Sequence, residues 1–330
     1  MRPSSTVLLL DAVRRRTSVP VTEMGPAQLA AARSSFAPRV PLLGPLLTPV
    51  VQRLFGAPHP DVDVHDTTVP GAAGELGLRV SVPRAGGGAR PLVVHLHGGG
   101  FVTGSPAQYD WWCTNLAAGA DVLVASVDYR KAPEHVAPAA ARDAVAAATW
   151  LAGNASRFGG VDGAPVAVAG DSAGGNLAAL VALAARDAGG VPEVAAQVLV
   201  YPATDLTRSF ASHRRLADAP ILPKASIDAF TALYVEPSPV PADDPSVSPW
   251  FAGDLGGLPP ALVQTAEQDP LVDEGEAYAR RMEAEGTTVR LTRYVGQPHG
   301  FVSLPGVCPP AHQALAEAVQ FLDTHLPRPA

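Results

Sequence analysis

The sequence predicts an α/β fold: a mostly parallel, eight-stranded sheet with helices on both faces. Three observations carry this. Short valine-rich runs alternate along the chain with longer alanine- and leucine-rich runs, the order of buried strands and covering helices. One such pair meets in Val166-Ala-Val-Ala-Gly170-Asp-Ser172-Ala-Gly174-Gly-Asn-Leu, which reads as a strand, a sharp turn and the start of a helix. Ahead of these, 62–69 and 76–82 alternate apolar and polar residues with period two, as antiparallel strands at a sheet edge do.

The elements follow in order. Residues 1 to about 60 show no strand alternation and are expected to cap the main domain, 61–330. Within them 22–33 reads as a helix with Thr22 as N-cap. Pro38, Pro41, Pro45 and Pro49 break up the apolar segment from Val40 to Phe55, which excludes a long helix there and suggests a lid. Pro91–His97 and Asp121–Val127 are buried strands, and 109–119 and 137–158 are helical. Val194–Val200 is the next strand. Residues 205–250 interrupt the alternation with a helix at 224–235 and a Pro/Asp/Ser-rich stretch, and are expected to form an inserted second cap segment. Strands at 260–265 and 288–295 enclose a helix at 274–285, and 312–326 is a closing amphipathic helix.

Bulk properties narrow the function. A chain of 330 residues can bury a sizeable core. Its net charge of −7, with no basic block beyond Arg14–Arg16, argues against nucleic acid as a partner. The two cysteines, Cys113 and Cys308, make neither a disulfide framework nor a metal-ligand spacing. Val7–Leu10 is too short for a signal-peptide core, and its charges follow it rather than precede it. No run approaches the ~20 apolar residues of a membrane span. The expectation is a soluble, cytoplasmic protein.

Chemistry concentrates at the carboxyl ends of strands, where sites in parallel sheets lie. In Gly170-x-Ser172-x-Gly174 a serine sits on a strand-to-helix corner, the arrangement that exposes a nucleophilic hydroxyl at the sheet end. A serine needs a base, and the base needs an orienting acid. Among nine histidines, His299 follows the last strand in a loop that Gly300 lets turn. His312 and His325 lie in the closing helix. Asp269 follows the penultimate strand, with Glu267 in reserve; Asp273 reads as an N-cap paired with Glu276. His97-Gly98-Gly99-Gly100 supplies backbone N–H donors at another strand end, and the N–H of Ala173 adds one more, as an oxyanion requires.

These motifs give a resemblance. His97-Gly-Gly-Gly-Phe101, Asp128-Tyr-Arg-x-Ala-Pro-Glu-His135, Gly170-Asp-Ser-Ala-Gly-Gly175, Tyr201-Pro202, Asp269-Pro-Leu-x-Asp-Glu274 and His299-Gly-Phe301 resemble, in order and approximate spacing, the bacterial hormone-sensitive-lipase-like esterases, a branch of the α/β-hydrolases. The resemblance implies an α/β-hydrolase fold and hydrolysis of short- to medium-chain carboxylic esters with no cofactor or metal. It implies Ser172 as nucleophile, His299 as base and Asp269 as orienter, with Gly98, Gly99 and Ala173 as oxyanion donors. His97 and Gly100 would shape that loop, and Phe101, Trp111, Trp112 and Asp171 would border the substrate. It also implies a homodimer through the sheet edge. Lys131 departs from the pattern, which places an apolar residue there. Arg130 and Glu134 read as structural, making an ion pair or backbone hydrogen bonds.

Three other readings compete. His95-Leu-His97 places two imidazoles on one strand face, as a metal-dependent hydrolase could use. A non-catalytic binding protein could share the fold. An amidase, deacetylase or lactone hydrolase would use the same three residues on another acyl substrate.

Overall fold

The structure, a computed structural model, describes residues 4–17, 19–34, 53–86 and 88–328. Eight strands form one sheet: β1 (Val62–Gly71), β2 (Gly74–Pro83), β3 (Leu92–Leu96), β4 (Leu123–Asp128), β5 (Val166–Asp171), β6 (Val194–Val200), β7 (Ala261–Gln268) and β8 (Val289–Pro298). Their order is β1-β2-β4-β3-β5-β6-β7-β8. β2 runs antiparallel to both its neighbours and all remaining pairs are parallel. This is the predicted sheet, with the period-two pair at one edge.

Period two explains how one sheet serves two cores. Leu92, Val94 and Leu96 of β3 and Val166 and Val168 of β5 enter one apolar cluster. Val93 of β3 and Ala167 and Ala169 of β5 enter the other. The first cluster is closed by helices Ala139–Ala152, Ala173–Asp187 and Val272–Ala284. The second is closed by Asp110–Ala120 and Pro310–His325. Cys113 and Cys308 are free thiols buried in the second.

The N-terminal part departs from expectation in two places. Ser5–Thr17 is helical, an element that the short apolar run Val7–Leu10 does not mark. Thr22 caps no α-helix: Val21–Glu23 is a 3-10 turn, and the helix runs from Pro26 to Ser34. Gly25-Pro26 decides this. Proline has no N–H to lose in a first turn, and the Gln28 side chain accepts the Gly25 N–H at 2.9 Å, one half of a capping box. The proline-broken segment suggested as a lid lies, over 40–52, outside the described residues.

These helices clip onto the rest of the chain. Asp11 accepts the Ile221 amide at 3.0 Å, and Arg15 donates to the carbonyls of Asp218 and Ala219, both at 3.1 Å. Arg33 donates to the carbonyls of Val102 and Ala132 at 2.9 and 2.7 Å. The insertion holds a short helix, Ser212–Arg215, and a longer one, Lys224–Tyr234, near the carboxyl ends of β5 to β8. Among the described residues no helix is long and apolar enough to cross a membrane.

Candidate active site

Five neighbouring strand ends build the site. β5 lies at mid-sheet between β3 and β6, with β7 and β8 beyond. The loop after β3 carries His97–Gly100, the turn after β5 carries Ser172, and Tyr201 follows β6. Asp269 follows β7 and His299 follows β8.

Ser172 has φ +56° and ψ −120°, a strained conformation for a residue with a side chain. The flanking glycines permit it. A Cβ on Gly170 would stand 2.7 Å from the Leu96 carbonyl oxygen, and one on Gly174 would stand 2.7 Å from that of His97. Both clashes are with rigid backbone. The corner is held by the Ser172 N–H on the Val200 carbonyl at 2.9 Å, and by the amides of Asn176 and Ala203 on the Ser172 carbonyl at 3.0 and 3.2 Å.

From this corner a chain of hydrogen bonds runs across the strand ends. Ser172 Oγ lies 2.9 Å from His299 Nε2, and His299 Nδ1 lies 2.7 Å from Asp269 Oδ2. Asp269 is fully buried, and its other oxygen accepts the Leu271 amide at 2.9 Å. The His299 ring leans on Tyr201, with centroids 4.5 Å apart. Glu267 points elsewhere and accepts the Gly296 amide at 2.8 Å. Asp273 is not an N-cap: it sits within the first helical turn and pairs with Arg215 at 2.8 Å. The insertion is tied to the same loop through His213 Nε2, 2.6 Å from Glu274, and Ser212 Oγ, which donates to the Pro270 carbonyl at 2.5 Å.

Around the glycine loop the structure corrects one expected donor. The Gly98 N–H donates to Asp171 Oδ1 at 2.8 Å and lies 3.1 Å from the Tyr109 hydroxyl. It is therefore spent and does not face the serine. Gly99 and Gly100, at φ +122° and +61°, border the cavity beside Ser172 and Ala173. The amides of Gly99, Gly100 and Ala173 have no hydrogen-bond partner among the described residues. His97 braces the loop from within: Nδ1 donates to the Gly98 carbonyl at 2.7 Å and the ring stacks on Tyr129. Burial holds it below the usual histidine range, so the neutral form prevails.

Asp171 is fully buried, and that burial pushes its carboxyl up to about 6, although His299, Tyr109, the Gly98 N–H and Tyr201 all favour the anion. A carboxyl displaced upward from 3.8 to about 6 costs the folded state about 3 kcal/mol once it is ionised. The sign follows: stability falls as pH rises from below 4 through about 6. Asp171→Asn carries no such cost, so its melting temperature relative to wild type is expected to rise between pH 5 and pH 8. Calorimetry at the two pH values checks this; a difference independent of pH overturns it.

A cavity of about 410 Å³ opens at Ser172 and His299. Its walls are apolar, with Phe101 and Leu271 from the main domain, Leu206, Ile221 and Leu222 from the insertion, and Leu10 and Phe55 from the N-terminal part. Phe101 borders it, stacked on Tyr234 with centroids 4.2 Å apart. Trp111 and Trp112 do not. They face the second core cluster, where Trp111 meets the edge of His312. Arg130 and Glu134 make structural ion pairs, but not with each other: Arg130 pairs with buried Asp143 at 2.7 Å and Glu134 with Arg33 at 2.7 Å. Lys131 pairs with Asp128. His95 and His97 have separate partners, Ser126 and the Gly98 carbonyl. Among the described residues no three His, Cys, Asp or Glu side chains are grouped to hold a metal ion.

Two residues have a part in the site that the sequence does not assign. Tyr109 joins Asp171 and Gly98, and Tyr201 supports His299. The Tyr201-Pro202 pair was a signal for the second; nothing in the sequence marked the first.

Comparison with known proteins agrees with this architecture. Residues 93–303 match a family model described as the α/β-hydrolase fold. The chain is 45% identical over 276 residues to the carboxylic ester hydrolase LipN of Mycobacterium tuberculosis, across 82% of this chain and 73% of that protein. It is 41% identical over 271 residues to the esterase LipI of the same organism, across 80% and 84%. It superposes on the Pyrobaculum calidifontis esterase with a TM-score of 0.82 at 38% identity, covering 98% of each chain. The ester-hydrolase EH1AB1 from the metagenome of Lake Arreo gives 0.85 at 35% identity, covering 98% of this chain and 99% of that one. The chain belongs to the α/β-hydrolase family, in its hormone-sensitive-lipase-like branch of carboxylic-ester hydrolases.

Proposed function

We propose that the protein is a serine carboxylesterase acting on short- to medium-chain esters through an acyl-enzyme. The observation that carries this reading is the unbroken Asp269–His299–Ser172 chain, at 2.7 and 2.9 Å, ending at the mouth of an apolar cavity. His299 Nε2 takes the Ser172 proton as Oγ attacks the ester carbonyl. The Asp269 carboxylate fixes the proton on Nδ1 and balances the imidazolium that forms. The amides of Gly99, Gly100 and Ala173 receive the developing oxyanion, and Gly98 is not among the donors. His299 then protonates the leaving alcohol. Water, deprotonated by the same imidazole, releases the acid. The apolar walls take the aliphatic part of the substrate and keep other water out.

Mixing the protein with excess p-nitrophenyl butyrate is expected to give a burst approaching one nitrophenolate per chain, followed by slower steady turnover. A 70 Da mass increment on the peptide containing Ser172, trapped by acid during turnover, identifies the acyl-enzyme. An increment on another peptide overturns the assignment, and no turnover of any ester overturns the reading. The 70 Da value is the mass of a butyryl group less the proton it replaces, about 70.

A further inference from the structure

A second cavity, of about 550 Å³, lies on the far side of the oxyanion loop. It touches neither Ser172 nor His299. Gly99, Tyr109 and Phe230 border both cavities and so make up the partition between them. Two of these are fixed. Gly99 is backbone, and the Tyr109 hydroxyl is held by Asp171 at 3.1 Å. Phe230 is the part of the partition that is a side chain with no hydrogen bond.

Its place on the helix Lys224–Tyr234 explains the role. Ile227, Phe230, Thr231 and Tyr234 face the first cavity, spaced i, i+3, i+4 and i+7. Ser226, Ala229 and Phe230 face the second. Phe230 stands where the two stripes overlap, and its neighbours on the second stripe are small. The ring is seated on Gly100: a Cβ there would lie 2.6 Å from both Phe230 Cδ atoms, so the ring meets the glycine symmetrically. Glycine at 100 thus has a second reason beyond its φ of +61°, since it lets the ring close over the loop.

We infer that Phe230 sets the upper limit of acyl length: its ring closes the substrate cavity against a second cavity, walled by Val21, Met24, Pro223 and Ala229 beside Arg15 and Gln108, that would otherwise receive a long linear acyl chain. This rests on the esterase reading above. The test is the ratio of kcat/KM for p-nitrophenyl dodecanoate over butyrate, in wild type, Phe230→Ala and Phe230→Leu. Each methylene accommodated in an apolar pocket is worth about tenfold or more, so the ratio is expected to rise at least tenfold in the alanine variant and by less in the leucine variant. Adding Ala229→Phe to Phe230→Ala refills the second cavity and is expected to reverse the gain. Wild-type turnover with an unchanged ratio in both single variants overturns this inference alone, as does a gain that Ala229→Phe leaves intact. No ester turnover by wild type overturns the esterase reading and this inference with it.

Discussion

Ser172→Ala is expected to lower kcat on p-nitrophenyl butyrate about a million-fold, and Asp269→Asn about ten-thousand-fold. The two losses have different origins. Alanine removes the proposed attacking oxygen, and what remains is stabilisation by the proposed oxyanion donors and binding. Asparagine keeps the size and the acceptor for the Leu271 amide, which Asp269 Oδ1 serves at 2.9 Å. Its NH2 group then faces His299 Nδ1, where Oδ2 stood at 2.7 Å. Two donors cannot share that bond, so the imidazole proton moves to Nε2 and points at Ser172. The base is in place but already protonated on the wrong nitrogen. KM is expected to change little in this variant, because Asp269 is sealed from the cavity. Glu267→Gln is the control. Glu267 braces Gly296 at 2.8 Å, a bond an amide oxygen can replace, and a loss of no more than about tenfold is expected. The reverse pattern would move the acid to Glu267. Steady-state kinetics of the three variants decides between them.

The sheet and the three aligned residues were legible for one reason: each element could be recognised from its own neighbours. Glycines two positions either side of a serine mark a sharp strand-to-helix turn within a few residues of sequence, and strand ends can be read from valine runs. What was not legible depends on contacts between distant parts of the chain. The Gly98 amide counts as a free donor until Asp171, 73 residues on, is brought to 2.8 Å from it. Arg130 and Glu134 are close in sequence, yet buried Asp143 attracts one and Arg33 the other. Trp111 and Trp112 stand on a helix whose burial was clear, but which face meets the second core depends on how it is packed against Pro310–His325. The helix Ser5–Thr17 escaped notice because Leu8 and Leu9 are solvent-exposed, so its apolar residues do not form one stripe. Tyr109 lies apart from every motif and reaches the site through its hydroxyl and through its ring, which packs beside His95 and His97.

Asp171→Ala is expected to lower kcat by a hundredfold to a thousandfold, the usual cost of one oxyanion donor, although Asp171 touches none of the reacting atoms in the proposed mechanism. It is a positioning residue. Its carboxylate holds the Gly98 N–H at 2.8 Å and the Tyr109 hydroxyl at 3.1 Å, and this fixes the peptide from which Gly99 and Gly100 extend. Alanine leaves a buried amide without its charged acceptor and a void beside it. The loop is then free to rotate Gly98 toward the cavity, which turns the following amides away from the oxyanion. An interaction made chiefly in the transition state is lost, so kcat and kcat/KM are expected to fall together with KM nearly constant. A purely structural defect would instead lower the melting temperature and leave kcat per folded molecule unchanged. Asp171→Asn separates the two further, since its amide oxygen can accept from Gly98 while its NH2 donates to Tyr109; kcat within about tenfold of wild type is expected. Tyr109→Phe removes only the weaker of the two partners of Gly98 and should fall between. If alanine at 171 retains full turnover, the glycine loop holds its shape without the carboxylate, and its rigidity comes instead from His97, through the 2.7 Å bond to the Gly98 carbonyl and the stacking on Tyr129.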